Sequence, residues 1–330
     1  GTRPMKTIIL VILAGVLFFS GLGMTALWDP DEPRQAIMAR EMMERGDYIR
    51  PYLNGEPYRE KPPFHPWLIV LSSKILGGGV SEVSARLPSA CTALLLVLVT
   101  FFLGRAIMDG TAGFLSALIV VTNLQVLSSA RESVMDMTFA ALITLTIALG
   151  YLAVVKGRRW ALVGALLPAS LAVLTKGPAG LFIPGAVLFI LLVTRRALKP
   201  YLLPLAAGGV LAVAVASLWF FAAGEDYFLE FIVRQNLLRY TKAFDHRETV
   251  FYYFPKIFFN FLPWSLFLPF AIYFSWKKKI WLPVVWFVVT FLFITASSSK
   301  RAVYLLPLYP AAALMCGIYL REKGRSLIEY

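Results

Sequence analysis

Asp29, Asp31 and Glu32 stand within four residues of one another, with Arg34 beside them, and a second charged pair, Glu60-Lys61, follows ahead of Pro62-Pro63. A carboxylate near an apolar boundary can take a proton from a hydroxyl, while Arg and Lys can hold an anionic leaving group. Together these types can run a group transfer that expels an anion. The same acids also complement the dipole at a helix N-terminus, so Asp31 or Glu32 can simply start a helix. Asp136 poses the same choice: a site acid, or a cap on the apolar run that begins at Met137. Lys176 and Lys300-Arg301 sit in short turns between apolar runs, where cations either snorkel to an interface or serve anionic headgroups.

The elements that must position these groups are hydrophobic. Of 330 residues, 58% are apolar and 15% charged, far below the roughly 25% charged of a soluble domain, and the mean hydropathy is +0.70. Runs such as Ile8 to Leu27 reach the ~17–25 residues that cross a bilayer as a helix. Continuous rather than alternating apolar residues exclude a β-barrel. Ten such runs occur, near 7–27, 87–105, 111–128, 137–155, 160–175, 179–194, 201–223, 251–275, 280–297 and 302–320. The spacing therefore predicts an all-α, polytopic transmembrane bundle of about ten spans. Phe64 to Leu76 is shorter and carries His65 and Lys74, which places it flat on the interface.

The net charge of +13 does not mark a nucleic-acid surface, because the basic residues fall in short runs between hydrophobic segments: Arg158-Arg159, Arg195-Arg196 and Lys277 to Lys279. With ten spans, a cytoplasmic N-terminus and a cytoplasmic C-terminus, the inner segments collect fifteen basic residues against three acidic ones. The outer face receives seventeen and sixteen. The positive-inside rule favours that orientation. It brings the loop 28–63, the segment from Arg131 to Asp136, the turn 175–177, the loop 224–250 and the turn 299–301 to one extracytoplasmic face. Within the first loop, Glu32 to Arg45 reads as an amphipathic juxtamembrane helix with Ala36, Ile37, Ala39, Met42 and Met43 as its apolar stripe.

Gly1 to Pro4 precede Met5 and read as a cloning scar, leaving residues 5–330 as one transmembrane domain with no soluble C-terminal domain. The first run, lacking a small-residue cleavage site, reads as a retained anchor. Cys91 and Cys316 lie inside apolar runs, which argues against a disulfide framework. Gly77 to Gly79 lack the Lys-Ser/Thr of a phosphate loop, so no nucleotide cofactor is expected.

Several short motifs recur together: Asp31-Glu32-Pro33-Arg34, Ala39-Arg40-Glu41-Met42, Gly46-Asp47-Tyr48, Asn54-Gly55, Glu60-Lys61-Pro62-Pro63 and Ala85-Arg86-Leu87-Pro88-Ser89. They are followed by Val134-Met135-Asp136-Met137, Leu174-Thr175-Lys176-Gly177-Pro178, Asp245-His246-Arg247-Glu248, Leu262-Pro263-Trp264 and Lys300 before Tyr304-Leu305-Leu306-Pro307. In order and spacing this set resembles the GT-C membrane glycosyltransferases that use polyprenyl-phosphate sugars. Within them it is most similar to the lipid A aminoarabinose (4-amino-4-deoxy-L-arabinose) transferases, with protein O-mannosyltransferases more distant. The motif set is specific to the family and not to the sugar.

The resemblance implies a GT-C bundle of the inner membrane with an extracytoplasmic, periplasmic active site. It implies inverting transfer of one sugar from polyprenyl (undecaprenyl) phosphate to a lipid or glycolipid acceptor such as lipid A. Carried over by motif, Asp31 is the base that deprotonates an acceptor hydroxyl, and Arg34, Lys61 and Tyr304 hold the donor phosphate, where two cations and a phenol offset the charge growing on the leaving oxygen. Asp136 is implied to position the acceptor or to orient a cation. Glu60 and His246 match positions that bind a divalent, zinc-like ion in the aminoarabinose branch, although two ligands are fewer than an ordinary zinc site has. Glu32, Lys176, Lys300 and Arg301 complete the candidate site. The alternatives are sugar transfer to polypeptide, or a lipid or sugar transporter, which would show paired repeats and broken helices at midplane.

Overall fold

The apolar runs fold as helices, interrupted where proline, glycine or charge enters them. The computed structural model describes residues 2–28, 30–238, 240 and 248–328. Helix α1 (Thr2–Phe19) leads to α2 (Asp31–Arg45), a small ribbon of β1 (Tyr52–Leu53) and β2 (Glu56–Pro57), α3 (Phe64–Ile75) and the long α4 (Glu82–Ile107). Then come α5 (Gly110–Val121), α6 (Leu124–Ala130), α7 (Met135–Val155), α8 (Ala161–Ala165), α9 (Leu167–Lys176), α10 (Ala179–Thr194) and α11 (Leu198–Ala223). A short α12 (Glu225–Phe228) runs into a π-helix, Leu229–Leu238. The chain closes with α13 (Tyr253–Asn260), α14 (Leu268–Lys277), α15 (Trp281–Ala296), a 3₁₀ segment Ala302–Leu308 and α16 (Tyr309–Ile328).

Among the described residues four helical stretches are long and apolar enough to cross a membrane: Glu82–Ile107, Met135–Val155, Leu198–Ala223 and Ala302–Gly324. A fifth arises if α5 and α6, which meet at 65°, count as one broken span. The other predicted runs also fall on helices, but on shorter ones such as Ala179–Thr194 and Trp281–Ala296, or, for 251–275, on α13 and α14. The loop 224–250 is no simple loop either, since residues 225–238 are α12 and the π-helix.

Local chemistry sets the elements that carry charge. Asp31 and Glu32 occupy the first turn of α2, and Gly46 ends it in the left-handed region (φ 69°), its N–H bonding to Met42 O. The stripe that α2 buries is Ala36, Met38, Ala39 and Met42. Three of these, Ala36, Ala39 and Met42, pack on Ile69 and Val70 of α3 and Ala85 of α4. Asn54 and Gly55 both take positive φ, as the tight turn of the β1–β2 ribbon requires. Ser81 and Ser84 form a capping box that starts α4. On the far side the bundle closes through small residues: a Cβ on Gly317 of α16 would lie 2.3 Å from Ser116 Oγ of α5.

Candidate active site

Glu32 and Asp31 are sequence neighbours with different fates. Glu32 is buried (2% exposed), and each of its oxygens has two donors. Oε1 accepts from Arg86 Nε (2.8 Å) and the Ser133 N–H (2.6 Å), and Oε2 from Arg86 Nη2 (2.8 Å) and the Trp28 N–H (2.6 Å). Arg86 donates onward to the carbonyls of Leu22, Thr25 and Ala26 at 2.7–2.9 Å. Burial alone would raise the Glu32 carboxyl, but Arg86 and the two backbone donors outweigh it and hold the group below the usual glutamate range. Glu32, expected in the site, is instead a clamp. It fixes the end of the α1–α2 connection and the 131–134 turn to α4.

That clamp sets where Asp31 and Asp136 stand. Asp31, one residue before Glu32, is part-exposed and ion-paired with Arg301 and, at 3.6 Å, with Arg34. Asp136, in the first turn of α7 just past the clamped Ser133, is ion-paired with Lys176 at the end of α9. The Lys176 ammonium lies over the Tyr304 ring, 3.9 Å from its centroid. Arg301 is paired to Asp31 and also acts electrostatically on Asp136 and Tyr304. Five of the expected residues thus form one charged strip: Asp31, Arg301, Asp136, Lys176 and Tyr304.

The strip borders a cavity of about 340 Å³. Lys61, Asp136, Lys176 and Tyr304 line it beside an apolar wall of Phe139, Phe182, Ile183, Phe293, Ile294 and Val303. The Lys61 ammonium lies 5.8 Å from the Phe231 ring of the π-helix. Asp31, Arg34, Glu60, Lys300 and Arg301 are not among the lining residues. Lys300, expected to face anionic headgroups, turns inward and donates to Ser297 O (2.5 Å) and Glu248 O (3.4 Å), and its ammonium is pushed below the usual lysine range by burial. His65, expected at the interface, is buried with Nδ1 3.1 Å from Thr138 Oγ1 of α7, and burial holds it down to about 4.

Of the expected metal pair only Glu60 lies among the described residues. Glu60 accepts from the Tyr58 hydroxyl at 3.4 Å, and His246 lies outside the described residues. Among the described residues no three metal-ligating side chains come together.

Sequence reasoning missed Gln235, Asn236, Tyr240, Ser297 and Ser299, which also line the cavity. Neutral amides and hydroxyls give no charge signal and belong to no motif quoted above. Asn236 reaches the Lys176 turn because residue 177 is glycine: Gly177 has φ +105°, and a Cβ there would meet Asn236 Oδ1 at 2.5 Å.

Paired acids and cations thus border a small, mostly apolar cavity beside membrane-length helices. The family described as dolichyl-phosphate-mannose-protein mannosyltransferase matches residues 60–220. A protein of Aquifex aeolicus is 31% identical over 98% of this chain and 66% of its own length. The undecaprenyl phosphate-alpha-4-amino-4-deoxy-L-arabinose arabinosyl transferase of Pectobacterium carotovorum is 28% identical over 97% of this chain and 60% of its length. The crystal structure of ArnT from Cupriavidus metallidurans bound to undecaprenyl phosphate superposes with a TM-score of 0.84 at 28% identity, covering 98% of this chain and 62% of that one. Over nearly its whole length the chain is similar to GT-C membrane glycosyltransferases, as its motifs imply, and it spans about three-fifths to two-thirds of the length of these relatives.

Proposed function

We propose that this chain carries the inverting transfer of a single sugar from a polyprenyl (undecaprenyl) phosphate donor to a lipid or glycolipid acceptor such as lipid A. The observation that carries the reading is the cavity itself, where Lys61, Lys176 and Tyr304 converge beside Asp136. The relatives named for such transfer, and the bound undecaprenyl phosphate of the Cupriavidus protein, support it. In the reaction an acceptor oxygen forms a bond to the anomeric carbon while the bond from that carbon to the phosphate oxygen breaks. The electron pair leaves with polyprenyl phosphate, and the acceptor proton passes to Asp31. Lys61, Lys176 and Tyr304 meet the charge growing on the leaving oxygen in a site partly closed to water, where fixed cations act more strongly than in solution. Arg301 and Arg34 orient the Asp31 carboxylate from two sides.

Purified protein supplied with undecaprenyl-phosphate sugars and lipid A should form glycosylated lipid A and release undecaprenyl phosphate. Because the matching family is described as protein mannosyltransferases, an acceptor peptide is the necessary second arm, and product on peptide alone would reassign the acceptor. Absence of product with every donor would favour transport. We place the reaction at the periplasmic face of a ten-span inner-membrane bundle. Cysteines at Glu56 and Asp226 should label from outside, and one at Arg158 should not. Labelling of Glu56 and Asp226 from opposite sides would sink the shared active-site face.

A further inference from the structure

Two of the cavity's charged groups, Lys61 and Asp136, stand on separate stiff elements, and one buried hydrogen bond joins those elements. Lys61 is followed by Pro62 and Pro63, both buried. Pro63 leads directly into the first turn of α3, which the Trp67 N–H closes on Pro63 O at 2.9 Å. Fixed proline φ angles leave that linker little freedom, so a shift of α3 is passed on to Lys61. Asp136 is in the first turn of α7, and Thr138 lies two residues further along the same helix. Between the two helices, His65 Nδ1 lies 3.1 Å from Thr138 Oγ1, a hydrogen bond in either tautomer across 73 positions. Both side chains are 1% exposed, and Asp136 is near enough to act electrostatically on the ring.

The transfer chemistry uses neither side chain, and stability does not require them. The second ring nitrogen, Nε2, is buried and has no hydrogen-bond partner among the described residues. A buried polar group left without a partner costs free energy, whereas apolar groups of the same shape in place of both partners are close to neutral or stabilising. Thr138 also departs from its neighbours. Thr144 and Thr146 of the same helix return their hydroxyls to the carbonyls of Ala140 and Leu142 at 2.8 Å, while Thr138 is engaged with a ring of another helix. Polar groups that break the local rules of a core without a gain in stability are expected where function needs a position held. An apolar contact is non-directional and lets two helices slide slightly, whereas a hydrogen bond fixes distance and angle.

We propose that His65 is a positioning residue of the transfer reaction: its bond to Thr138 sets the separation of Lys61 from Asp136, and so the fit of the donor phosphate between Lys61 and Lys176. This rests on the polyprenyl-phosphate donor reading above. Lys176 shares the spacing because it is ion-paired with Asp136. His65 is not among the lining residues and acts through the two elements that are. Its ring is neutral near pH 7, since burial holds it down to about 4, so it fixes the spacing without adding a charge that competes for Asp136.

The test measures binding of undecaprenyl phosphate to the detergent-purified protein beside its melting temperature. His65→Leu and Thr138→Val should each weaken undecaprenyl phosphate about three- to tenfold, the scale of one lost hydrogen bond. The double variant carrying both changes should melt no lower than wild type. His65→Asn can place an amide where Nδ1 stands and should stay within about twofold of wild-type affinity, whereas His65→Gln, whose amide reaches towards Nε2, should not. In a Lys61→Ala background the group being positioned is gone, so His65→Leu should there change affinity by less than about twofold. A histidine that merely filled the core would give the same fold-loss with and without Lys61, and no rescue by asparagine; either result would overturn the proposal. So would wild-type affinity in both single variants, or a double variant that melts well below wild type. If wild-type protein does not bind undecaprenyl phosphate, the donor reading itself fails, an outcome distinct from wild-type binding that the His65 variants leave unchanged.

Discussion

The Glu32–Arg86 clamp and the Asp136–Lys176 pair stand on opposite sides of the same short turn, yet they are built for different ends. In the clamp both carboxylate oxygens and the guanidinium are consumed by partners, and both side chains are about 95% or more buried. In the pair the carboxylate and ammonium keep partial exposure, 12% and 17%, and both line a cavity. A buried charge with every lone pair satisfied can only hold structure, because any new ligand must break an existing bond. A charge with one partner and an open side can still do chemistry. The clamp holds the turn so that the open pair faces the cavity.

The largest effect should come from the closed cluster. Arg86→Met leaves Glu32 buried and unpaired, which should cost about 3–5 kcal/mol of stability, seen as a large drop in the detergent melting temperature. A melting temperature like wild type would erase the distinction between the two clusters. Asp31→Asn, in contrast, should melt normally and lose at least about 100-fold in turnover, the usual scale of a lost general base. If turnover stays near wild type, the base is reassigned to Asp136. Lys61→Ala should weaken undecaprenyl phosphate by about ten- to a hundredfold, as expected for one charge-assisted hydrogen bond. Arg34→Ala should do less, because Arg34 lies outside the cavity lining and acts through Asp31.

Tyr304→Phe should be milder again. The ring that lies under the Lys176 ammonium remains, and only the phenol hydroxyl is lost, so an effect of about tenfold on phosphate affinity, the lower end for one hydrogen bond to a charged group, is expected. The smallest effect is a pH slope. His65 is held down to about 4 in the fold against 6.5 when unfolded. The unfolded chain therefore takes up its proton first. Stability present above pH 6.5 should fall progressively towards pH 4. His65→Gln should flatten that slope. Below it, the loss that remains should follow Glu32, whose carboxyl is held under its usual 4.5 and whose clamp fails only as it protonates.

Much of this was legible in the sequence. Apolar length fixed the membrane class, and helical spacing placed α2 over 32–45, against Asp31–Arg45 in the fold. The order of motifs carried the family resemblance, and with it Lys61, Asp136, Lys176 and Tyr304, all of which come to one cavity. Hydropathy marked the apolar helical runs but does not see the breaks within them, between α5 and α6 or between α13 and α14.

Only the tertiary structure decided which of two adjacent acids would be structural. Glu32 meets Arg86 across 54 positions and Asp31 meets Arg301 across 270. Packing of α2 on α3 and α4 makes the first pairing, and the return of the chain after α15 makes the second. The neutral lining of Gln235, Asn236 and Ser299 came from the same source. Periodicity and charge are local properties of a chain and are readable along it. Which side chains share a cavity depends on how distant helices are stacked, and no local pattern encodes that.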